Sequence, residues 1–275
     1  MTNEKIPIEQ IPILITGCIN PPRQDWLYLT NVNDRLQQYI ESIKYYIRYT
    51  GVKYIIFCDN SDYLYPNIKE LENLAIAHNK QLEWLHFQGN SEEVSKYGKG
   101  LGEDEIVAHA VSNSLILKES NCFCKITGRL FVKNLDIILR NVYADNNYFV
   151  RDLYRGNNRG VDTRFYICSL NFYKDVLMHC YSKDATYKKK PLEEIYFLLL
   201  SSNYKEPTRY PQIYGISAGN GRNYSKESRL LMRINNLLCR LEVFNLLFPI
   251  YQVVFRGYNK LFHNHPIADI NGRIR

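Results

Sequence analysis

The run Ile11-Pro12-Ile13-Leu14-Ile15-Thr16-Gly17-Cys18 is apolar almost throughout, ends in a glycine and is followed by the turn Pro21-Pro22. A short apolar run bounded by turn residues is typical of a buried strand. Residues 34–49 come next, with apolar side chains at helical spacing, and a second apolar run, 52–58, follows them. This alternation predicts an α/β fold, in which helices cross over between the strands of one central sheet.

The alternation continues along the chain, and the first three strands with their helices form a βαβαβ pattern. We predict further helices at 68–78, 103–114, 135–142, 171–179 and 191–202, and further strands at 82–87, 123–132, 148–153 and 163–169. The expected fold is an α/β domain with a mixed central sheet. We place this domain at residues 1–225 and assign residues 226–275 to a helical tail.

Length and composition limit the class of protein. The chain has 275 residues, of which 45% are apolar and 23% charged, so it can bury a sizeable core. No apolar stretch approaches the length of a spanning helix, and the first residues do not form a secretory leader, so we expect a cytoplasmic protein.

The cysteines and histidines give no metal or redox pattern. Seven cysteines, an odd number, are scattered and lie partly within apolar runs, which favours reduced and buried thiols. Cys122-Phe123-Cys124 has the wrong spacing for a C-x-x-C turn, and the histidines form no H-E-x-x-H motif. We therefore expect no metal site, and hydrolase chemistry lacks its usual motifs.

The net charge is +7, and residues 226–275 hold +5 of it. The preceding 225 residues are nearly neutral. A protein that binds nucleic acid over the body of its fold usually carries a basic face there, so we expect no nucleic-acid partner.

A glycine-rich stretch precedes the predicted helix at 103–114. Lys96-Tyr97-Gly98-Lys99-Gly100-Leu101-Gly102-Glu103 could form a turn that offers backbone N–H groups and the Lys99 ammonium to a diphosphate. Its spacing differs from that of a Walker A motif. A plain structural loop is the alternative interpretation.

Thr127-Gly128-Arg129 interrupts the apolar pattern of the predicted strand 123–132. Glycine inside a strand permits close approach of a ligand or of another backbone segment. Arg129 then needs an anionic partner, and two candidates stay open. One is a pyrophosphate, and the other is a protein carboxylate such as Asp152 or Asp162.

Glu193 and Glu194 follow Pro191 at the start of a predicted helix. Acids in a first helical turn stabilise the helix dipole, which is a purely structural explanation. A carboxylate can also act as a general base beside an acceptor hydroxyl, and only one of two consecutive helical residues can face a cleft well. We select Glu193 for this role.

Taken in order, several motifs give the chain a resemblance to a known family. They are Leu14-Ile15-Thr16-Gly17, Ile56-Phe57-Cys58-Asp59-Asn60-Ser61, 96–103, Lys125-Ile126-Thr127-Gly128-Arg129-Leu130-Phe131-Val132-Lys133-Asn134, Asp162-Thr163-Arg164-Phe165, Leu192-Glu193 and 215–221. The chain resembles bacterial glycosyltransferases of the GT-A type that build capsule and lipopolysaccharide O-antigen. The likeness covers residues 11–225.

The resemblance implies a Rossmann-like nucleotide-sugar domain. The donor would lie over the ends of the first strands, and the later half would bind the acceptor. The residues that we assign to the donor are Thr16, Gly17, Asp59, Lys99, Gly100, Thr127, Gly128 and Arg129. Asp59 and the turn after the first strand are the candidates for the nucleoside.

One departure from the family is important. GT-A enzymes usually hold a divalent metal with an Asp-x-Asp motif near the fourth strand, and this chain has no such motif. Thr127-Gly128-Arg129 occupies that region instead. We therefore expect that Arg129 and Lys99 neutralise the diphosphate leaving group and that no metal is required.

The predicted function is transfer of a hexose from a nucleotide diphosphate sugar, a UDP-sugar, to a hydroxyl of a surface glycan or lipid-linked acceptor. Glu193, Arg129 and Lys99 are the expected catalytic residues of an inverting reaction. The alternatives are sialyl or nucleotidyl transfer on the same fold, and a non-catalytic scaffold that binds a membrane or a protein partner.

The tail has a basic amphipathic pattern. Residues 229–262 place leucines and phenylalanines at helical spacing between Arg229, Arg233 and Arg240, and Pro249 is expected to break the helix. We expect the tail to lie on the inner face of the membrane, as a peripheral anchor. Packing onto the domain, or contact between copies in a homo-oligomer, is the alternative.

Overall fold

The computed structural model describes residues 4–22, 27–152, 159–201, 203–217, 221–226 and 229–262, with side chains as far as Val253. Its strands are β1 Ile13–Gly17, β2 Tyr54–Asp59, β3 Gln81–His86, β4 Cys122–Thr127, β5 Phe131–Val132, β6 Phe165–Ser169 and β7 Ile213–Tyr214. Its α-helices are α1 Val32–Tyr49, α2 Ile68–Ala77, α3 Ser91–Tyr97, α4 Lys99–Asn113, α5 Leu115–Lys118, α6 Leu135–Leu139, α7 Leu170–Phe172, α8 Cys180–Lys183, α9 Leu192–Leu200, α10 Arg229–Arg240 and α11 Phe244–Phe262.

Five strands form the central sheet, in the order β3-β2-β1-β4-β6. The first four are parallel, and β6 runs antiparallel to β4. The predicted α/β fold with a mixed central sheet is confirmed. β1 lies in the middle and is buried on both faces, as its unbroken apolar run requires.

Helices cover both faces of this sheet. Ile13 and Ile15 of β1 point to the side of α1 and α2, and Leu14 points to the side of α4 and α9. Because side chains alternate along a strand, every position of β1 and β4 can be assigned to one of these two faces. We call them the α1 face and the α4 face.

The fourth strand is shorter than predicted. β4 ends at Thr127, and Arg129 has a left-handed backbone with φ of 66°. Phe131 and Val132 then pair with β7 in a separate two-stranded sheet. The prediction that residues 127–129 lie within one long strand is therefore wrong, because the chain turns where β4 leaves the central sheet.

Two other predicted elements differ. The predicted strand 148–153 makes only isolated bridges, at Tyr148 and Arg151, among its described residues. The predicted helix 171–179 is replaced by the short α7 and a π-helical turn, Tyr173–Leu177. Tyr148 and Val150 are buried in the first segment, and Tyr173 and Leu177 are buried in the second, so the packing of a few side chains outweighs the local pattern.

The tail forms two helices rather than one broken at Pro249. The break lies between α10 and α11, where Glu242 has φ of 57°, and Pro249 sits inside α11. The inner sides of both helices pack against the domain in a small apolar cluster. Its buried members are Val150, Tyr210, Leu231, Cys239, Phe244 and Phe248. Across the described residues, no helix is long and apolar enough to cross a membrane.

All seven cysteines are free thiols, and all but Cys18 are buried, as predicted. Burial raises the pKa of the Cys18 thiol to about 12 and that of Cys122 to about 12. These thiols therefore stay protonated at neutral pH and behave as small apolar core groups.

Candidate functional site

Several of the predicted donor residues end their strands at one edge of the sheet. Thr16 pairs in register with Thr127 of β4 and with Cys58 of β2, and Gly17 pairs with Asp59. The carboxyl ends of parallel strands form the usual binding edge of an open α/β sheet. The structure therefore brings Thr16, Gly17, Asp59 and Thr127 into one row at that edge.

On the α4 face, this row meets a carboxylate from the first turns of α4. Thr16 Oγ1 donates a hydrogen bond of 2.8 Å to Glu103 Oε1, and Thr127 Oγ1 lies 3.5 Å from the same oxygen. Lys125 forms an ion pair with Glu103. The strand ends and α4 are thus joined through a single carboxylate oxygen.

Lys125 is the centre of this cluster. Its side chain is 0% exposed, and its Nζ donates to Thr127 Oγ1 at 2.8 Å and to the backbone carbonyl of Thr163 at 2.6 Å, besides pairing with Glu103. A buried ammonium is costly unless its donors are satisfied, and here all three have partners. We did not single out Lys125 or Glu103 from the sequence. The polar residues at 125 and 127, which share one face of an apolar strand, were the available signal.

The cluster continues to the predicted base. Thr163 Oγ1 lies 3.5 Å from Glu193 Oε1, and the Glu193 backbone carbonyl accepts from Val161 N at 3.1 Å. Glu194 instead pairs with Lys190 at 2.7 Å, one turn back. Glu193 therefore lies next to Thr163, the residue whose carbonyl binds Lys125, whereas Glu194 pairs with Lys190.

On the α1 face, Asp59 organises the chain that follows β1. Its carboxylate accepts from Ile19 N at 2.7 Å, from Ser61 N at 3.0 Å and from Tyr63 N at 3.1 Å. Burial raises the pKa of Asp59, and these hydrogen bonds partly oppose that rise. Both oxygens are engaged, so Asp59 holds two loops together at the edge whether or not it also contacts a nucleoside.

Gly128 follows β4 and makes a very close backbone contact. Its N–H donates to the Thr16 carbonyl at 2.9 Å, and a Cβ at this position would collide with that carbonyl and with the ring of Tyr39. Of the two explanations for glycine here, approach of another backbone segment is the one that the structure shows.

Arg129 is buried without a carboxylate partner among the described residues. It is 6% exposed, its Nη1 donates to Gln38 Oε1 at 3.2 Å, and its guanidinium lies 5.4 Å from the centroid of the Tyr39 ring. Its Nε has no hydrogen-bond partner. The suggested pairing with Asp162 is wrong, because Asp162 pairs with Arg164 at 2.5 Å.

The stretch 96–103 is helical rather than a glycine-rich turn. α3 ends at Tyr97, α4 begins at Lys99, and Gly98 between them has φ of 97°. Gly100 lies within α4, where a Cβ would collide with the Tyr181 hydroxyl and crowd Leu192. The predicted turn is therefore wrong, and helix packing explains that glycine.

Lys99 remains a candidate for binding an anion, although the predicted glycine-rich turn around it is absent. Its side chain is exposed on the first turn of α4. It precedes Glu103 by four residues, so both side chains lie on one side of the helix. This arrangement leaves Lys99 near the edge cluster and free to move toward an anion.

The carboxylates at this edge do not fit a divalent metal held as an Asp-x-Asp motif holds it. Both oxygens of Asp59 accept hydrogen bonds, and Glu103 is neutralised by Lys125. Within the described chain, no group of three His, Cys, Asp or Glu residues is placed to hold a metal ion. Arg129, just beyond the end of β4, has no carboxylate partner among the described residues, and its guanidinium suits an anion.

Comparison with known proteins gives only distant similarity. No protein-family model matches the sequence, and no curated protein sequence matches it. The structure is similar to two crystal structures of the glycosyltransferase GlyE from Streptococcus pneumoniae TIGR4, one of them the apo form, each at 11% identity. The TM-scores are 0.48 and 0.47, and the alignments cover 74% and 71% of this chain and 45% and 44% of GlyE.

A cytidylyltransferase from Leptospira borgpetersenii serovar Hardjo-bovis (strain JB197) is also similar, at 11% identity and a TM-score of 0.36, over 70% of this chain and 72% of that one. The chain spans less than half the length of GlyE. Similarity at this level does not say which reaction this chain catalyses.

Proposed function

We propose that the chain is a glycosyltransferase that moves a hexose from a nucleotide diphosphate sugar, a UDP-sugar, to a hydroxyl of a surface glycan or lipid-linked acceptor. The observation that carries the proposal is Arg129, a buried guanidinium at the carboxyl edge of the sheet with no described carboxylate beside it. A buried charge without a counterion is costly, so the position favours an anionic ligand.

A diphosphate matches this site in charge and in shape. The guanidinium presents a planar set of donors that suits phosphate oxygens. Lys99 on the first turn of α4 supplies a second, mobile cation. Together they would stabilise the negative charge that develops on the leaving diphosphate.

Glu193 is the proposed general base of an inverting reaction. It would accept the proton of the acceptor hydroxyl while that oxygen forms a bond to the anomeric carbon, and the bond from that carbon to the diphosphate breaks. Support comes from its position beside Thr163, which binds the central Lys125. Glu194 is held by Lys190 and takes no part.

We propose that no metal is needed for this reaction. The support is the donor set at the end of β4, where Arg129 stands in place of acidic ligands and the nearby carboxylates already have partners. Arginine and lysine can neutralise a leaving diphosphate without a metal.

We also propose that the protein works at an anionic membrane surface. Seven of the fifteen large apolar side chains exposed in the described chain lie between residues 230 and 253. They are Leu230, Leu237, Leu241, Leu246, Leu247, Ile250 and Val253. Arg229, Arg233 and Arg240 are exposed among them, against a single acid, Glu242. This mixture of apolar and basic groups complements a bilayer of anionic lipids and a lipid-linked acceptor.

The experiment that tests the function is a ligand and activity screen of the purified chain. UDP and UDP-sugars are expected to raise its melting temperature, because a ligand that binds only the folded state stabilises it. Release of UDP from one UDP-sugar, unchanged by EDTA, is the expected activity.

Other outcomes would contradict the proposal in specific ways. Release of pyrophosphate from a nucleoside triphosphate would indicate nucleotidyl transfer, and use of a CMP-sugar would indicate sialyl transfer. No stabilisation by any nucleotide would favour a scaffold. Loss of activity in EDTA, with recovery in manganese, would overturn the metal-free mechanism.

A further inference from the structure

We propose that Glu103 binds a hydroxyl group of the transferred sugar through its Oε2 atom. The inference rests on the proposed function. It identifies a residue that binds the sugar of the donor rather than its nucleotide. Glu103 lies near the start of α4, between the ends of β1 and β4.

The two oxygens of Glu103 have very different surroundings. Thr16, Thr127 and Lys125 all approach Oε1, whereas no residue in the described part of the chain forms a hydrogen bond or an ion pair with Oε2. The side chain is 22% exposed, although the Lys125 side chain beside it is 0% exposed. One oxygen is therefore fixed by the protein, and the other is open to a ligand at the edge of the sheet.

The contacts to Oε1 hold the carboxylate in a defined orientation. Lys125 is itself fixed by Thr127 and by the Thr163 carbonyl, so Glu103 cannot rotate without breaking a buried ion pair. Such a carboxylate is preorganised to accept a hydrogen bond, because it needs no further ordering when the ligand arrives.

The chemistry of the group selects a hydroxyl as its partner. An ionised carboxylate accepts hydrogen bonds and donates none, so it pairs with a sugar hydroxyl and repels a phosphate. The diphosphate is assigned to Arg129, which lies beyond Thr127 at the end of the same strand.

Position also favours the hexose over the nucleoside. Glu103 and the proposed base Glu193 are linked through Lys125 and Thr163 on the α4 face. Asp59, the candidate for the nucleoside, is the last residue of β2 and lies on the α1 face. The transferred sugar must lie next to the base, and therefore on the side of Glu103.

The test compares two ligands on two variants. Calorimetric titration of the wild type with UDP and with UDP-glucose or UDP-galactose measures what the hexose adds to affinity. Glu103→Gln keeps the shape of the side chain but removes its charge. The control is Glu105→Gln, two residues further along α4, whose carboxylate accepts from Asn90 N at 3.2 Å and does not contact the edge cluster.

We expect Glu103→Gln to bind UDP as the wild type does and to bind the UDP-sugar at least about tenfold more weakly, because a hydrogen bond to a charged group is lost. Glu105→Gln should bind both ligands normally. Equal loss of affinity for UDP and for the UDP-sugar in Glu103→Gln would show a structural role through Lys125 and would overturn the inference.

The remaining outcomes separate this inference from the function itself. If the wild type binds neither UDP nor any UDP-sugar, the proposed function fails and the inference fails with it. If the wild type binds the UDP-sugar more tightly than UDP and Glu103→Gln retains that difference, the function stands and the inference alone is wrong.

Discussion

Lys125 Nζ donates a hydrogen bond of 2.6 Å to the backbone carbonyl of Thr163 and thereby ties β4 to the segment that leads into β6. The contact joins the side of the sheet edge assigned to the donor with Thr163, whose hydroxyl lies 3.5 Å from Oε1 of the proposed base Glu193 on α9.

Glu193→Gln is expected to reduce transfer about 100-fold or more, because the amide keeps the shape of the side chain but cannot accept a proton. Affinity for UDP should not change. Initial rates of UDP release with acceptor present, together with titration by UDP, measure the two effects separately.

Glu194→Gln is the matched control for the base, since Glu194 is held by Lys190. Its transfer rate should stay close to that of the wild type. If Glu194→Gln is the inactive variant, the base has been assigned one position too early. If both variants are active, the enzyme retains configuration or uses another base.

Arg129→Gly should change stability and activity in opposite directions. The substitution relieves a left-handed backbone with φ of 66° and removes a buried charge without a described counterion, so the melting temperature of the ligand-free protein should rise. Loss of the contact to the diphosphate should cost about 3 kcal/mol of barrier, or roughly 100-fold in rate.

The control for Arg129 is Arg35→Ala. Arg35 is also buried, but its guanidinium donates to the backbone carbonyls of Cys18 and Leu29, so its loss should lower the melting temperature. Scanning calorimetry and UDP-release rates measure both variants. A destabilised Arg129→Gly, or one with normal activity, would contradict the anion site.

Leu246→Glu combined with Ile250→Glu is expected to abolish co-sedimentation with phosphatidylglycerol vesicles. Both side chains are more than 70% exposed on α11, so the change should leave folding intact while it adds charge to the surface assigned to the membrane. Binding by the wild type should weaken in high salt. The control is Ile76→Glu, which changes an equally exposed side chain on α2.

Point variants test the tail better than truncation does. Removal of α10 and α11 would uncover Val150 and Tyr210, which the tail buries, so a truncated chain could lose binding by unfolding. If the wild-type protein does not co-sediment with anionic vesicles, the proposed binding to a membrane surface is wrong. A dimer in sedimentation velocity that the double variant dissociates would assign the surface to a second copy of the chain.

Asp104 is expected to make stability depend on pH. Burial beside α8 raises its pKa from 3.8 to about 7, against the opposing effect of hydrogen bonds from Cys180 and Tyr181, and the charge of Glu105 adds to the rise. The folded state therefore holds a proton that the unfolded state has lost between about pH 4 and pH 7. The stability that this proton provides is complete below pH 4 and is lost as the pH rises through 7.

Asp104→Asn removes this titration. Urea denaturation at pH 5 and pH 8 should show that the wild type loses more unfolding free energy over that interval than the variant does. From the shift in pKa, the full difference between the two limits is on the order of 4 kcal/mol. If the wild type and the variant lose the same unfolding free energy between pH 5 and pH 8, Asp104 is ionised in the folded state.

The sequence predicted the elements that repeat a clear local pattern. β1, β2, α1 and α2 were found close to their observed bounds, because an apolar run or a 3.6-residue period determines each of them. The positions of Thr16 and Asp59 at the sheet edge follow from where the apolar runs of β1 and β2 end, whereas the predicted strand 123–132 placed Thr127 inside a strand. That part of the candidate site could therefore be predicted without a structure.

The rest depends on contacts between segments that are distant in sequence. Gly100 was part of a predicted turn, but it lies within the helix α4. Because glycine has no side chain, Tyr181 and Leu192 can pack closely against the helix at this position. The pairing of Glu103 with Lys125 depends on how α4 crosses the sheet, which no local pattern encodes. The end of β4 is set in the same way, by the approach of the Gly128 backbone to Thr16.

The reversed direction of β6 affects how such a site could diversify. Parallel strands contribute to the edge only with the loops that leave them, whereas an antiparallel neighbour contributes the loop that enters it. Residues 159–164 therefore reach this edge and are tied to the end of β4, because Thr127 N donates to the Arg164 carbonyl at 2.8 Å and Lys125 Nζ donates to the Thr163 carbonyl at 2.6 Å. Under the proposed function, an insertion or deletion in that loop would alter the acceptor side and the donor edge together, so the two specificities would have to change in step.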